Sequence, residues 1–426
     1  MRFYLLLIIL LLSIFKLNLF SQLNPDPPIQ TVRLVFIHHS VGEDWLKPEM
    51  GDLIHNLNEN NYYVFDTNYD WGPTDQDVND GNPIGYHTDI GHWYNWFLGP
   101  HREIYLTALY NNNHLTPSYT NSDSLIIPTS ENVIVMFKSC FTSAQVIYGD
   151  TNDQPLPIGM LNPLYGKGVD VDTVYTVTNI KGLYRDLLTY FAIRQDKLFI
   201  LITISPSYQG AADEGMVKLR AINNWLVYNW LENYPYENVS VFDFSNVLTS
   251  NGGNPNINDA GLLTGNHHRF RNGTIEHTNN GNIFLAYPSY DSTSNTWDNH
   301  PTAAGLKKAT IEFVPLLNIA YNRWKNSTKV KNDGLHSNEA TFKIKQNIPN
   351  PFNNITTFEF YLPTEAYTSL KIFDINGQEI ASLINANLRA GYHTIYFDAK
   401  NLSSGVYFFN FIANNFQKIN KMVIIK

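Results

Sequence analysis

Apolar and polar positions along the chain follow two regimes. In the first, short and nearly continuous apolar runs alternate with segments of helical period. Val32, Leu34, Val35, Phe36 and Ile37 form one run, and Tyr62-Tyr-Val-Phe65, Asn132–Phe137, Leu198–Ile204 and Val239–Asp243 form four more. Runs without polar alternation suit strands buried on both faces. Between them, Met50, Leu53, Ile54 and Leu57 recur at helical spacing within 48–58. The segment 180–194 reads as helix. Leu219, Ile222, Leu226 and Trp230 share one helix face within 211–232, and a last helix is expected over 301–324. Strands alternating with helices predict an α/β, doubly wound parallel sheet with helices on both faces. Two long stretches, 66–123 and 244–295, carry Gly, Pro, Asn and aromatics without a clear period and read as loop-rich. Such length inside a compact domain usually serves function.

The second regime begins near residue 346. Thr357–Leu362, Ser369–Phe373, Gly391–Phe397 and Gly405–Ile412 alternate strictly between turn signals, which predicts a small all-β sandwich. Residues 325–345 are polar and unpatterned and read as a linker. At the other end, Arg2, the apolar stretch Tyr4–Phe15 and Ser21 before Gln22 have the three parts of a signal peptide over residues 1–21. The stretch is short for a membrane span, and no other stretch is long and apolar enough to cross one. These boundaries place an α/β domain over 30–324 and the sandwich over 346–426.

Composition narrows the function. The 426 residues carry a net charge of -9, with no basic run, which argues against nucleic acid as a partner. A single cysteine, Cys140, excludes an internal disulfide framework.

The candidate chemistry centres on His38-His39-Ser40-Val-Gly42. Ser40 falls at the carboxyl end of the first strand, on the turn into a helix, where open α/β sheets place ligands. It is either a nucleophile or a plain helix cap. Far downstream, Trp297-Asp298-Asn299-His300-Pro301 precedes the last helix, so His300 is expected on a loop at the helix entrance. An imidazole there can take the serine proton, with Asp298 or a backbone carbonyl fixing its tautomer.

On these residues the first domain resembles the SGNH (GDSL-type) hydrolases, esterases and deacylases on a flavodoxin-like sheet. The resemblance implies that Ser40 is the nucleophile, His300 the base and the Ser40 N–H part of the oxyanion hole. Gly72 is a candidate for the family's isolated glycine. Three positions differ from the family pattern. His39 replaces an Asp, and Trp297 occupies the usual place of the acid, leaving Asp298 two residues before the histidine. Lys138-Ser139-Cys140 stands where the family has Gly-x-Asn-Asp, which makes Ser139 and Cys140 candidate oxyanion or substrate groups.

Other groups offer alternatives. Cys140 with a histidine is a cysteine-hydrolase arrangement, although a strand-end Cys is more often packed. His87, Asp89 and His92, or His267, His268 and His277, lack zinc-site spacing and are expected to face solvent. The series Asp75, Asp77, Asn79, Asp80 and Gly81 lacks the sixth-position Gly and twelfth-position Glu of a calcium loop. No metal or cofactor is therefore expected. Trp93, Tyr94, Trp96 and Phe97 are either core or a stacking platform for sugar rings.

The C-terminal segment carries Asn347-Ile-Pro-Asn-Pro-Phe-Asn353, Lys371-Ile-Phe-Asp-Ile-Asn-Gly377 and Phe397-Asp-Ala-Lys-Asn-Leu-Ser-Ser-Gly-Val-Tyr407, and ends on Lys418–Lys426. It closely resembles the type A C-terminal sorting domain of the type IX secretion system. That implies a Bacteroidetes-type bacterium, the secretion machinery as partner, and a secreted or cell-surface location. The combined expectation is a secreted serine esterase, with an acylated glycan as the substrate suggested by the aromatic-rich mouth. The alternative is a non-catalytic glycan-binding protein on the same fold.

Overall fold

The computed structural model describes residues 23–426 apart from 116–118, 140–146, 159, 170–171, 210–212, 255, 292–295, 334–341, 348 and 389–390. The expected signal peptide and Cys140 therefore lie outside the described residues. The chain divides into two compact units, residues 1–156 with 162–328, and residues 157–161 with 329–426.

The larger unit is built on five parallel strands, β1 (Val32–Ile37), β2 (Tyr62–Thr67), β3 (Ile134–Phe137), β4 (Leu198–Ile202) and β5 (Val239–Phe242). Their order is β2-β1-β3-β4-β5, with β3 in the middle. This is the flavodoxin-like order, whose switch point lies between β1 and β3. Alternate residues feed two cores. Val35, Ile37, Val135, Phe137, Phe199 and Leu201 face one helical layer. That layer holds α3 (Trp93–Phe97), α4 (Arg102–Tyr110), α5 (Val177–Ile193) and α6 (Asp213–Tyr228). Leu34, Phe36, Ile134, Met136 and Ile200 face the other. There α1 (Val41–Leu46), α2 (Leu53–Glu59), α7 (Phe244–Val247) and α8 (Ala303–Asp333) pack. Each fully buried Leu or Phe on these faces contributes roughly 1.5–3 kcal/mol.

Several elements differ from expectation. Of the helix expected over 48–58 only the second half is helical, as α2, which is preceded by the separate short helix α1 and entered through Asp52 in the left-handed region (φ 54°). The stretch 66–123 contains α3 and α4, whose aromatic faces are core. The stretch after β5 forms two hairpins, β6 (His267–Arg271) with β7 (Thr274–Thr278) and β8 (Pro288–Asp291) with β9 (Thr296–Pro301). Pro301 ends β9 rather than opening the helix, and α8 runs on to Asp333, into the stretch read as a linker. Extending a formed helix costs far less than starting one, so a polar, unpatterned tail can remain helical.

The smaller unit holds β10 (Lys343–Ile344) to β16 (Phe416–Ile424), in a three-stranded sheet β10-β11-β14 and a four-stranded sheet β13-β12-β15-β16. Here β11 is Ile355–Leu362, β12 Ala366–Phe373, β13 Glu379–Leu388, β14 Gly391–Asp398 and β15 Gly405–Ala413. Phe358, Phe360, Leu370, Ile372, Phe409, Phe411 and Met422 form its core, as the strict alternation of the sequence requires.

Candidate functional site at the carboxyl edge of the sheet

The parallel strands end on polar residues, and these form the floor of the edge. After Ile37 the backbone turns through His38 and His39 into α1. His38 is fully buried beside Asp66, its Nε2 3.3 Å from Oδ2. Asp66 Oδ2 also accepts the Tyr119 hydroxyl at 2.9 Å. A Cβ at Gly42 would lie 2.4 Å from His38 Cβ, so the turn admits only glycine there.

His39 is held on three sides. Its Nε2–H donates to Gly85 O at 2.6 Å, the Thr88 hydroxyl lies 3.0 Å from Nδ1, and the ring stacks on Tyr69 at 3.9 Å. Burial pushes its pKa down to about 3, and the nearby His38, Lys138 and His87 push the same way, so the ring is neutral. The chain thus places a fixed neutral ring there, flanked by the exposed Tyr69 and Tyr86.

Ser40 occupies the N-cap position of α1, but its side chain makes no capping hydrogen bond. It is half-buried. The capping alternative therefore does not account for its hydroxyl.

His300 and Asp298 both lie on β9, a strand rather than the expected loop, and side chains two apart on a strand share a face. The imidazole Nδ1 and Asp298 Oδ2 are 2.8 Å apart. Two contacts fix the hairpin: Thr302 N donates to Tyr287 O at 2.7 Å, and Tyr208 N, in the loop after β4, donates to Asn299 Oδ1 at 3.0 Å. Below it, α8 is tied to α1 by the Trp45 Nε1–H donating to Thr310 Oγ1 at 2.9 Å. Lower still, the Tyr62 hydroxyl at the start of β2 bonds Asn318. Both helices thus descend from the carboxyl edge, which carries Ser40 and His300 on the same side of the sheet plane. No hydrogen bond joins these two side chains among the described residues.

Of the remaining candidates, Gly72 and Ser139 lie among the described residues and are held by contacts of their own. Gly72 has φ 92° and an added Cβ would meet Ile84 Cγ2 at 2.9 Å, so the turn itself demands glycine. Ser139 is buried and its hydroxyl accepts the Trp93 indole N–H at 2.8 Å. Trp93, Trp96 and Phe97 are core, and Tyr94 stacks on Tyr165, so this group is not an open stacking platform.

Of the histidines expected to face solvent, His87, His92, His267 and His268 are buried instead, and His277 is half-buried. His87 sits between Asp75 (Nδ1 to Oδ2, 2.9 Å) and Asp80 (Nε2 to Oδ2, 3.0 Å). Burial works against its proton, but the two carboxylates outweigh that and raise its pKa. Burial would likewise raise Asp75, yet hydrogen bonds from His87, the Asp77 and Val78 N–H groups and Asn95 hold it below the usual range. His92 is pushed down to about 3, chiefly by burial. His267 pairs with Glu312 at 2.6 Å, and His277 Nε2 with the buried Asp243 at 2.7 Å. No group of three or more His, Cys, Asp or Glu suited to a metal occurs among the described residues. The carboxylates of the calcium-like series accept from their own loop, from histidines and, at Asp75, from Asn95 and Tyr105.

Comparison with known proteins adds one firm result. Residues 347–426 match the family described as the secretion system C-terminal sorting domain, so the chain ends in a sorting module. The system it serves is type IX secretion, of Bacteroidetes-type bacteria, and the protein is delivered to the cell surface or the extracellular space. No curated protein matches the chain. Among solved structures, an X-ray structure of the endo-beta-1,4-mannanase from Thermotoga petrophila aligns at 10% identity over 69% of this chain and 47% of that one. Its TM-score is 0.16, too low to speak to fold or activity. The chain thus spans about half of that protein's length. No helix among the described residues is long and apolar enough to cross a membrane.

Proposed function

We propose that the α/β unit is a secreted serine esterase of the SGNH type acting on an acylated glycan. Ser40 Oγ attacks the ester carbonyl carbon while His300 Nε2 takes its proton. The tetrahedral intermediate expels the alcohol, which leaves with that proton. Water, deprotonated by His300, then attacks the acyl-serine, and the acid is released as Ser40 regains its proton. The Ser40 backbone N–H contributes to holding the oxyanion.

The observation that carries this reading is the Asp298–His300 contact of 2.8 Å. A carboxylate at Nδ1 keeps the proton there and leaves Nε2 as the basic nitrogen, which general-base work on a serine requires. The uncapped Ser40 hydroxyl at the same edge of a flavodoxin-order sheet agrees with it. The Ser40–His300 hydrogen bond of this reading forms in the substrate complex, where catalytic hydrogen bonds often tighten. The lack of a Ser40–His300 hydrogen bond favours the rival, a glycan-binding protein without chemistry. Treatment with a fluorophosphonate distinguishes them. The esterase reading expects a covalent adduct on Ser40, detected by peptide mass spectrometry, and none in Ser40→Ala or His300→Ala. An unlabelled wild type that is also inert toward p-nitrophenyl acetate leaves the binding protein.

A further inference from the structure

We propose that a cavity beside the β8–β9 hairpin, bounded by residues 249–253, 264–265, 280 and 282–286 with Gln209, binds a neutral carbohydrate. Its volume of about 680 Å³ lies within the ~300–1,000 Å³ usual for small-molecule sites. None of its described lining residues is charged. The wall instead presents the exposed amides of Gln209, Asn280 and Asn282, together with Phe284, while the Asn251 amide is engaged with Ala286 O and Gly253 N.

That composition selects a ligand class. Each amide offers both a donor and an acceptor, the complement of a hydroxyl that does the same. An anion calls for Arg or Lys, which the lining lacks. A purely apolar ligand would strand the amides without partners.

The charges behind the wall are already engaged. Arg220 Nη2 donates to Thr249 Oγ1 and Asn282 O, and Asp259 takes Ser250 Oγ and the buried Lys308. This buried network holds Thr249, Ser250 and the backbone at Asn282 from the rear, so the outline of the wall is fixed before a ligand arrives.

A second feature extends the site. Tyr290 and Trp297, about half exposed, meet edge to face at 5.0 Å on the hairpin. Strand alternation puts Trp297 on the same face as Asn299. Asn299 accepts from Tyr208 N, and the next residue, Gln209, lines the cavity. Trp297 thus stands ~7 Å along the strand from that contact, at two residues' rise, with its ring available to the C–H face of a sugar. The site does not require Ser40 to be a nucleophile, and it places a glycan next to the hairpin that carries His300.

Isothermal titration calorimetry on the full-length protein tests the proposal. The probes are neutral xylo-, manno-, cello- and laminari-oligosaccharides, with oligogalacturonate as the anionic control. At least one neutral oligomer is expected to bind with submillimolar Kd. Gln209→Ala, Asn282→Ala and Trp297→Ala should each raise that Kd about tenfold, equivalent to ~1.4 kcal/mol. Ser40→Ala should leave it unchanged, which separates this site from the esterase reading. Asn282→Ala retains the backbone carbonyl that holds Arg220, and thermal melting confirms that the variants fold. Failure of every neutral oligomer to bind, equal binding of oligogalacturonate, or wild-type affinity in all three cavity variants overturns the proposal.

Discussion

Replacing Asp298 by Asn separates the orienting role of the carboxylate from its shape. The carboxylate only accepts, so it keeps the His300 proton on Nδ1. An amide can turn its NH₂ toward the ring and favour the opposite tautomer. In a buried triad that change costs about ten-thousandfold. Here the side chains are far from buried, 45% exposed for Asp298 and 27% for His300. Water competes for both partners, and exposed pairs of this kind are worth only ~0–1 kcal/mol. The tautomer penalty adds to that, so the expected loss is about ten- to hundredfold, or ~1.4–2.7 kcal/mol of barrier. Ser40→Ala and His300→Ala should each cost on the order of a thousandfold or more. The assay is kcat/KM on p-nitrophenyl acetate for the wild type and all three variants, with folding checked by circular dichroism. Asp298→Asn within twofold of wild type, or as damaging as His300→Ala, refutes the reasoning about a half-exposed orienting acid. A fully active Ser40→Ala removes the esterase proposal.

Other outcomes follow from buried groups and from the sorting module. Lys308 is fully buried and donates to the carbonyls of Val247, Ser250 and Asn266 while pairing with Asp259. Lys308→Met should therefore cost ~3–5 kcal/mol in urea unfolding, the range for breaking a buried pair from one side; a loss under about 1 kcal/mol contradicts that. His87 has a raised pKa, so its contribution is complete below its unfolded value of about 6.5 and fades as pH rises through the folded value. His87→Gln should accordingly destabilise more at acidic than at alkaline pH, and an equal effect at both refutes the ion-pair account. His39 and His92, both down to about 3, act oppositely: their contribution is present above about 6.5 and declines below it. The comparison must therefore be made against wild type at each pH. Removing residues 347–426 should strand the protein in the periplasm, read by fractionation and immunoblotting; equal surface delivery refutes the sorting role.

The apolar runs identified all five parallel strands because a sheet covered on both faces must be apolar throughout. The position of Ser40 at a strand end followed directly. What the sequence hid were features decided by remote partners. His87 and His267 looked like solvated loop residues, yet Asp75 and Glu312 make their burial tolerable. Helices α3 and α4 were obscured by neighbouring Gly, Pro and Asn, although their Trp and Tyr side chains complete a core. The Asp298–His300 pair was written two residues apart, but only the strand geometry of β9 puts both on one face. The amide-lined cavity gathers residues from separate loops, and no local motif announces it.

One consequence concerns the order in which the chain can fold. Leu34 and Phe36 on β1 share a core with Leu306 and Phe313 of α8. The segment before β1 is held by the same helix: Asn318 donates to Pro25 O, and Asn322 to Asn24 O and Asp26 O. A chain delivered N-terminus first therefore exposes one apolar face of its sheet until residues near 322 have emerged. Such closure over long sequence separation is slow. The late-arriving helix leaves one face of the earlier strands open, and its docking closes that face.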